Sequence, residues 1–223
     1  MREQRVRTFH ARRGRRSQLT QTRLAELLPR YAVAPGVLAP VGSSGRPARV
    51  VLEIGCGHGA AAIGYAATHP DDHLVALDVH PPGVARMLAA AAQAGVTNLS
   101  AELADAVEFL SERIPLGSLD AVHLFFPDPW PKARHHRRRF ISADTLDLLG
   151  RALTPGGHVL VATDWADYAA YALAEVAAHR GFVAIETERP TWRPLAGFEA
   201  KGLAEGRQIT DLRLERATRI ELA

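Results

Sequence analysis

The sequence has 223 residues, of which 47% are hydrophobic and 23% are charged, so the chain is long enough to bury a sizeable core. No apolar run approaches the roughly 18–20 residues that a membrane-spanning helix needs, and the single cysteine, Cys56, excludes an internal disulfide. A reducing compartment and a cytoplasmic location are therefore expected, although a cleaved organellar presequence stays open.

Positive charge is concentrated in two segments of the chain. Residues 1–16 hold seven arginines and one glutamate, a net charge of +6, and residues 132–139 hold four arginines and one lysine, a net charge of +5. Because the whole chain carries only +3, the remaining residues have a net charge of −8. This asymmetry favours a phosphate-bearing partner, while the alternative is a pair of ordinary solvated charge runs.

The N-terminal part of the sequence has little periodicity. Residues 1–22 are polar and Arg-rich, and we expect a flexible basic arm that a partner orders. Residues 23–48 predict a short helix over 24–31 and then a loop rich in Pro, Gly and Ser. The third segment, 49–223, contains all remaining predicted elements and is expected to be the functional domain.

Within this third segment, short β-branched runs alternate with stretches rich in Ala and Leu. Strands are predicted at residues 49–54, 73–79, 99–104, 120–126 and 157–163, and helices at 60–68, 81–94, 106–113, 142–153 and 165–179. Two last strands, 182–188 and 211–216, have no predicted helix between them and are expected to pair antiparallel at one edge. The alternation predicts an α/β fold, doubly wound around a mostly parallel, Rossmann-like sheet with an antiparallel edge strand.

A glycine-rich turn follows the first predicted strand. Its pattern is Gly-x-Gly-x-Gly after an acidic residue, formed by Glu53, Gly55, Gly57 and Gly59, and the glycines let a ligand approach the backbone closely. Asp78 ends the next strand, 23 residues beyond Gly55. A carboxylate at this place can accept hydrogen bonds from both hydroxyls of a ribose. Glu53 would repel a pyrophosphate and attract a cation, which favours S-adenosylmethionine over a dinucleotide.

Carboxylates also end the third, fourth and fifth predicted strands. Asp105 and Asp164 each either face the ligand or cap the helix that follows. Asp128 stands between two prolines that restrict the backbone, and its carboxylate can accept hydrogen bonds from two adjacent N–H groups of a base. Trp130 either stacks on that base or belongs to the core. Since ligands bind beyond the carboxyl ends of parallel strands, these side chains predict one ligand site there.

The segment that follows Asp128 is strongly basic. Its members suit the binding of phosphates beside a pocket for one base, and they are Lys132, Arg134, His135, His136, Arg137, Arg138 and Arg139. No metal is expected, because the histidines show no paired spacing with cysteines and the adjacent histidines lie in an electropositive run.

The chain resembles the bacterial tRNA (guanine-N7-)-methyltransferase family over nearly its whole length. The matching segments are Leu-Glu-Ile-Gly-Cys-Gly-His-Gly at 52–59, Asp-Val-His-Pro-Pro-Gly at 78–83, Asp-Ala-Val-Glu at 105–108, the run 125–139, Ala-Thr-Asp-Trp at 162–165, and parts of 193–199. The Phe-Pro-Asp-Pro-Trp block at 126–130 is highly specific to that family, whereas many methyltransferases share the glycine loop.

The resemblance implies a class I enzyme that uses S-adenosylmethionine to methylate guanine N7 in the variable loop of tRNA, giving 7-methylguanosine. It implies cofactor binding by Glu53, Asp78, Asp105 and Asp128, and tRNA contact by Lys132, the run 134–139, Asp164, Ala196, Gly197, Phe198 and Glu199. Two positions depart from the family: Ala196-Gly197 stands in place of threonine and a basic or polar residue, and Gly206-Arg207 in place of glycine-histidine. Loss of the threonine hydroxyl is expected to weaken binding and to leave activity in place.

The expected chemistry is a direct displacement at a methyl carbon. Guanine N7 has an in-plane lone pair and no proton, so catalysis consists mainly of alignment, and Asp128 is expected to hold the base edge and the developing charge. Two other functions remain open: methylation of an amino group on another nucleic-acid base, and non-catalytic RNA binding on the same fold. The first generally shows two successive prolines at this strand end, where this chain has Pro-Asp-Pro-Trp. Monomer or homodimer, and the accepted tRNA species, are undecided by the sequence.

Overall fold

The computed structural model describes residues 7–9, 17–34, 36–39, 42 and 45–217. Its helices are α1 Gln18–Leu27, α2 Ala60–Thr68, α3 Pro81–Gln93, α4 Ala106–Glu112, α5 Ala143–Ala152, α6 Ala166–Ala178 and α7 Gly197–Ala204, with 3-10 helices at Leu28–Tyr31 and Ala133–Arg138. Its strands are β1 Val50–Ile54, β2 His73–Asp78, β3 Leu99–Leu103, β4 Leu119–Phe125, β5 Leu153–Thr163, β6 Phe182–Glu186 and β7 Thr210–Arg216. Within these residues, each helix lacks the length and apolar character that a bilayer crossing requires.

The seven strands form one sheet in the order β3-β2-β1-β4-β5-β7-β6. Strands β1 to β5 are mutually parallel, and β7 runs antiparallel to both β5 and β6. The predicted fold class is therefore confirmed, with the antiparallel strand one position inside the edge that β6 forms. Strand order reverses between β1 and β4, the place where doubly wound sheets bind ligands beyond their carboxyl ends.

The sheet is covered on both faces, which explains why its central strands are almost continuously apolar. All five residues of β1 are buried, and their side chains alternate between two cores. Val50 and Leu52 pack into a core with residues of α5 and α6, whereas Val51 packs into a core with residues of α2 and α3. Glu53 therefore points toward the α2 and α3 face, because side chains two residues apart share a face.

Helix α1 begins at Gln18, earlier than the predicted start at residue 24 and inside the predicted arm 1–22. The cause is a cap: Ser17 Oγ accepts a hydrogen bond from the Thr20 backbone N–H at 3.2 Å. Leu24 then anchors the helix in the core that contains α3. The arm is described only at 7–9 and 17–22, and its other residues lie outside the described residues.

Two further elements differ from the prediction. The 3-10 helix Ala133–Arg138 and helix α7 were not predicted, because 133–138 has almost no apolar residue and α7 is short and begins at a glycine. Strand β5 starts at Leu153, four residues before the predicted start, since Leu153 already pairs with Leu119 of β4. Neither difference changes which strand ends meet at the carboxyl edge.

Candidate functional site

The glycine-rich turn links β1 to α2 at the carboxyl edge of the sheet. Gly55, Gly57 and Gly59 have positive φ angles of 75°, 55° and 81°, which residues with a side chain rarely adopt. The Gly55 backbone N–H donates to the Leu77 carbonyl at 2.8 Å, so the turn is tied to β2. A Cβ atom on Gly59 would overlap the Met87 side chain, whereas one on Gly55 would meet no atom of the described residues within 4 Å. The turn thus packs on α3 at one end and is open to a ligand at the other.

The carboxylate of Asp78 is held beside this turn, at the end of β2. Its Oδ2 accepts a hydrogen bond from the Gly57 N–H and its Oδ1 accepts one from the His80 N–H, both at 2.8 Å. These bonds fix the orientation of the carboxylate and leave each oxygen a further lone pair for a donor such as a hydroxyl. The position agrees with the predicted ribose contact, which itself stays a prediction.

A cavity of about 400 Å³ lies at the carboxyl ends of β2 and β3. Its lining is polar and apolar in equal measure, and the lining residues are Arg7, Phe9, Val79, Pro81, Leu103, Ala104, Asp105 and Glu108. Asp105 Oδ1 accepts a hydrogen bond from the Val107 N–H at 2.8 Å, which confirms the capping alternative while the residue also lines the cavity. Sequence reasoning did not assign Arg7 and Phe9 to a site; the one signal was an aromatic residue within an Arg-rich arm.

Glu53 lies beneath the turn and is only 3% exposed. Its Oε2 is 4.0 Å from Nδ1 of His123, the residue opposite it on β4, and neither atom has a hydrogen-bond partner among the described residues. Burial raises the pKa of Glu53 to about 8, and burial lowers the pKa of His123 to about 3, so this histidine is neutral at physiological pH. A buried carboxyl group with an unpaired oxygen is suited to meet a cationic group at the turn.

The turn after β4 carries Asp128 in a strained backbone. Phe126 and Trp130, two residues on either side, have left-handed φ angles of 52° and 44°, which are uncommon for residues other than glycine. Asp128 is half-buried at the same edge as Asp78. Trp130 is only 3% exposed, its Nε1 donates to the Thr8 carbonyl at 3.3 Å, and it therefore belongs to the core, the second of the two predicted alternatives.

The basic run divides into an outer and an inner set. Lys132, Arg134 and Arg137 are exposed, whereas His135, His136 and Arg138 are half-buried, with the Arg138 guanidinium 4.8 Å from the Trp130 ring centre. Arg139 is 1% exposed: its Nε donates to the Pro129 carbonyl at 3.0 Å and its Nη2 donates to the Asp167 carboxylate. The predicted phosphate contact of Arg139 stays a prediction, which this burial does not support, because the guanidinium does not face solvent.

The segment 196–199 begins helix α7 on the same rim. Ala196 is the N-cap residue, Gly197 has a φ of 58° and Phe198 is 62% exposed. Glu199 is buried instead, and Arg189 and Arg193 contact its carboxylate at 2.6 and 3.0 Å. Phe198 is thus exposed on this rim and Glu199 is engaged in an ion-pair network, and the predicted substrate contacts of both residues stay predictions.

Asp164, at the end of β5, pairs with a residue that follows α7. Its Oδ2 accepts a hydrogen bond from Arg207 Nε at 2.8 Å, while the N-cap position of α6 is Trp165. A Cβ atom on Gly202 would lie 2.9 Å from the Asp164 Cβ, so α7 passes very close to this carboxylate. The capping alternative for Asp164 is therefore not what the structure contains, and the side chain remains on the site's rim.

Comparison with known proteins shows to which family this chain belongs. A family model described as "Putative methyltransferase" matches residues 47–212. A tRNA (guanine-N(7)-)-methyltransferase from Halorhodospira halophila is 43% identical over 215 residues, which cover 93% of this chain and 93% of that protein. This chain belongs to the tRNA (guanine-N(7)-)-methyltransferase family. The resemblance found in the sequence is thereby confirmed.

Solved structures share the fold of this chain. TrmN from Thermus thermophilus superposes with a TM-score of 0.55 at 20% identity, over 89% of this chain and 48% of that chain. A variant of the 16S rRNA (adenine(1408)-N(1))-methyltransferase from Catenulisporales acidiphilia, solved with cosubstrate SAM, gives a TM-score of 0.54 at 20% identity, over 79% and 89% of the two chains. Identities at this level establish a common architecture and nothing finer.

Within the tRNA (guanine-N(7)-)-methyltransferase family, this chain departs at two positions, which lie on either side of helix α7. Arg207, where the resemblance leads us to expect histidine, contacts Asp164. Ala196, where threonine is expected, begins the helix whose Gly202 packs on the same Asp164. The changes therefore affect the rim formed by β5 and α7 and leave the glycine turn and the Asp128 turn unchanged.

Proposed function

We propose that this protein transfers a methyl group from S-adenosylmethionine to N7 of guanine in the variable loop of tRNA. The observation that carries the proposal is that Asp78, the glycine turn and the strained Asp128 turn lie at one edge of the sheet. The chain that carries them is 43% identical to a tRNA (guanine-N(7)-)-methyltransferase. This common edge supports a proposed cofactor-binding half and a proposed base-binding half side by side at the topological switch point.

The residues at this edge fit S-adenosylmethionine better than a dinucleotide. The open side of Gly55, the oriented Asp78 carboxylate and the cavity beside Asp105, which offers both apolar and polar surface, suit an adenosine. Oε2 of Glu53 is buried and has no hydrogen-bond partner among the described residues, and in its ionised form this carboxylate would attract a cationic group and repel a phosphate. When bound, the cofactor supplies a methyl group on a positively charged sulfur, so the nucleophile needs no metal or base to activate it.

Asp128 is proposed to align the base and to balance charge. N7 of guanine has a free lone pair and no proton to lose, so a general base is not required. A carboxylate at the base edge accepts hydrogen bonds from adjacent N–H groups and stabilises the positive charge that the ring gains. The backbone around Asp128 is held in sparsely populated conformations, a feature typical of residues whose position matters to function.

The outer set of the basic run is proposed to hold the RNA backbone. Lys132, Arg134 and Arg137 are exposed on the 3-10 helix that follows the Asp128 turn. Their charges are therefore adjacent to the proposed base pocket, where phosphate contacts would fix the register of the RNA without reading its sequence. Phe198, exposed near the start of α7, supplies an apolar surface for a nucleotide.

The test is product identification on unmodified tRNA. The protein is incubated with a tRNA transcript and methyl-labelled S-adenosylmethionine, and the nucleosides are separated and weighed by mass spectrometry. We expect labelled 7-methylguanosine from the variable loop. Labelled methyladenosine would instead support an amino-methyltransferase, and tRNA binding without any methyl incorporation would support a non-catalytic RNA-binding protein.

A further inference from the structure

The turn that carries Asp128 requires support from its surroundings. The left-handed conformations of Phe126 and Trp130 are disfavoured for residues other than glycine, and such conformations persist only where neighbouring contacts determine them. On the first side, the Phe126 N–H donates to the Ala162 carbonyl at 2.7 Å, which ties the turn to β5. On the second side, the Pro129 carbonyl accepts a hydrogen bond from a buried side chain, Arg139.

Arg139 is anchored at several points besides this carbonyl. Its Nη2 donates to the Asp167 carboxylate at the start of α6, and its guanidinium lies 4.6 Å from the ring centre of Tyr171 and 5.7 Å from that of Tyr168. A planar guanidinium can direct N–H groups at a carbonyl and at a carboxylate simultaneously while its face packs on aromatic rings. Helix α6 thereby fixes the guanidinium, and the guanidinium fixes the peptide next to Asp128.

We infer that Arg139 is a positioning residue that holds the Asp128 turn in its productive conformation, and that it is not a phosphate contact. The inference rests on the proposed function of the Asp128 site and deepens it. It separates the last arginine of the basic run, which faces inward, from Lys132, Arg134 and Arg137, which face solvent. A charge run that appears uniform in sequence then has two tasks, RNA contact and support of the turn.

The chain offers a matched control for loss of a buried arginine. The Arg46 side chain is also largely buried, its Nε donates to the Ala39 carbonyl at 3.2 Å, and its Nη2 donates to the Ser118 carbonyl at 2.9 Å and to Asp120. These contacts lie at the amino end of β4, opposite the edge that carries Asp128. Arg46→Lys therefore perturbs a comparable buried guanidinium without touching the site.

The experiment compares Arg139→Lys with Arg46→Lys in the full chain, well below the melting temperature of both variants. A misplaced reacting group costs about 100-fold in rate, so we expect Arg139→Lys to lower kcat by about that factor at saturating tRNA and cofactor. Arg46→Lys should retain the wild-type kcat. Hydrogen exchange of residues 126–138 should accelerate in Arg139→Lys and remain unchanged in Arg46→Lys, because only the first variant loses the bond to the Pro129 carbonyl.

A third variant, Arg139→Gln, separates positioning from RNA contact. Loss of one phosphate contact reduces the slope of log affinity against log salt by about 1, and we expect this variant to leave the slope for tRNA unchanged. Wild-type kcat and wild-type exchange in Arg139→Lys, or a reduced salt slope in Arg139→Gln, would overturn the inference. If the wild-type protein made no 7-methylguanosine, the proposed function would fail, while the exchange comparison would still decide whether Arg139 holds the turn.

Discussion

Glu53 and His123 face each other across β1 and β4, with 4.0 Å between Oε2 and Nδ1 and without a hydrogen bond from either atom to the described part of the chain. His123 stacks with Phe125 and with Trp192, at ring-centre distances of 5.2 and 4.9 Å, and these two rings are themselves 6.0 Å apart. The histidine is thus fixed by aromatic contacts, and burial keeps its pKa near 3. The glutamate is the member of the pair that titrates near neutral pH, since burial raises its pKa to about 8.

This titration predicts a pH-dependent affinity for S-adenosylmethionine. Ionised Glu53 attracts a cationic ligand, whereas the protonated form predominates below its pKa of about 8. We expect the dissociation constant to fall as pH rises toward 8, by at most about tenfold per pH unit, and to level off above it. Calorimetry at several pH values measures the dissociation constant for the wild type and for Glu53→Gln. The ligand's own groups titrate in both experiments, so the difference between the two pH profiles is due to Glu53. Parallel pH profiles for the two proteins would exclude the role of Glu53.

The same group predicts how stability depends on pH. The carboxyl group has an ordinary pKa of 4.5 when unfolded and one of about 8 when folded, so the folded protein binds more protons between these values. The stabilising contribution of protonated Glu53 is therefore complete below 4.5 and is lost as pH rises through 8. Urea unfolding should show that Glu53→Gln gains stability relative to the wild type between about pH 5 and pH 8. The exposed Glu112→Gln is the control, and an equal gain there would contradict the prediction.

Replacement of Asp128 should separate catalysis from RNA binding. We expect Asp128→Asn and Asp128→Ala to lower kcat by about 100- to 1000-fold, the usual loss when a group that stabilises transition-state charge is removed. The tRNA dissociation constant should change little, because the outer basic residues are untouched. Initial rates at saturating tRNA and filter binding provide the two measurements. Asp144→Ala, an exposed carboxylate at the start of α5, is the matched control, and near-normal turnover of Asp128→Ala would contradict the assignment.

The fold and the places of the strand-end carboxylates could be predicted because their signals are local. Short β-branched runs and glycines with positive φ are properties of a few neighbouring residues, and parallel strands then bring Asp78 and Asp128 to one edge. The direction of each side chain in the basic run, by contrast, depends on residues that are distant in the sequence. Arg137 and Arg139 differ in exposure because of the 3-10 helix between Lys132 and Arg139 and because α6 supplies Asp167 as a partner.

The burial of Glu199 in an ion-pair network could not be predicted from the sequence for a related reason. Its partners Arg189 and Arg193 come from the loop before α7, and Arg193 also pairs with Asp211 of β7 at 2.6 Å. Burial of this network depends on how β7 inserts between β5 and β6, which periodicity does not determine. Phe9 is a comparable case, since only the tertiary structure brings it to the cavity beside Asp105.

Two helical glycines should respond in opposite ways to alanine. Gly150 lies inside α5, and a Cβ atom there would meet Phe182 at an ordinary 3.6 Å, so Gly150→Ala should stabilise the protein by about 0.4–1 kcal/mol. In α7, a Cβ atom on Gly202 would lie 2.9 Å from the Cβ and Oδ2 atoms of Asp164, so Gly202→Ala should destabilise by about 1–3 kcal/mol. Urea unfolding measures both, and similar stabilities for the two variants would contradict the close approach of α7 to Asp164.

The outer basic residues should each contribute to the salt dependence of tRNA binding. A phosphate contact releases condensed counterions, so replacement of Lys132, Arg134 or Arg137 by Gln should reduce the slope of log affinity against log salt by about 0.7–0.9 each. Arg180→Gln is the matched control, because Arg180 is exposed just before β6, at the amino edge of the sheet. Fluorescence anisotropy with labelled tRNA at several salt concentrations gives the slopes. If the Arg180 and Arg137 variants reduced the salt slope equally, RNA would bind through general charge attraction and not through specific contacts with the outer basic residues.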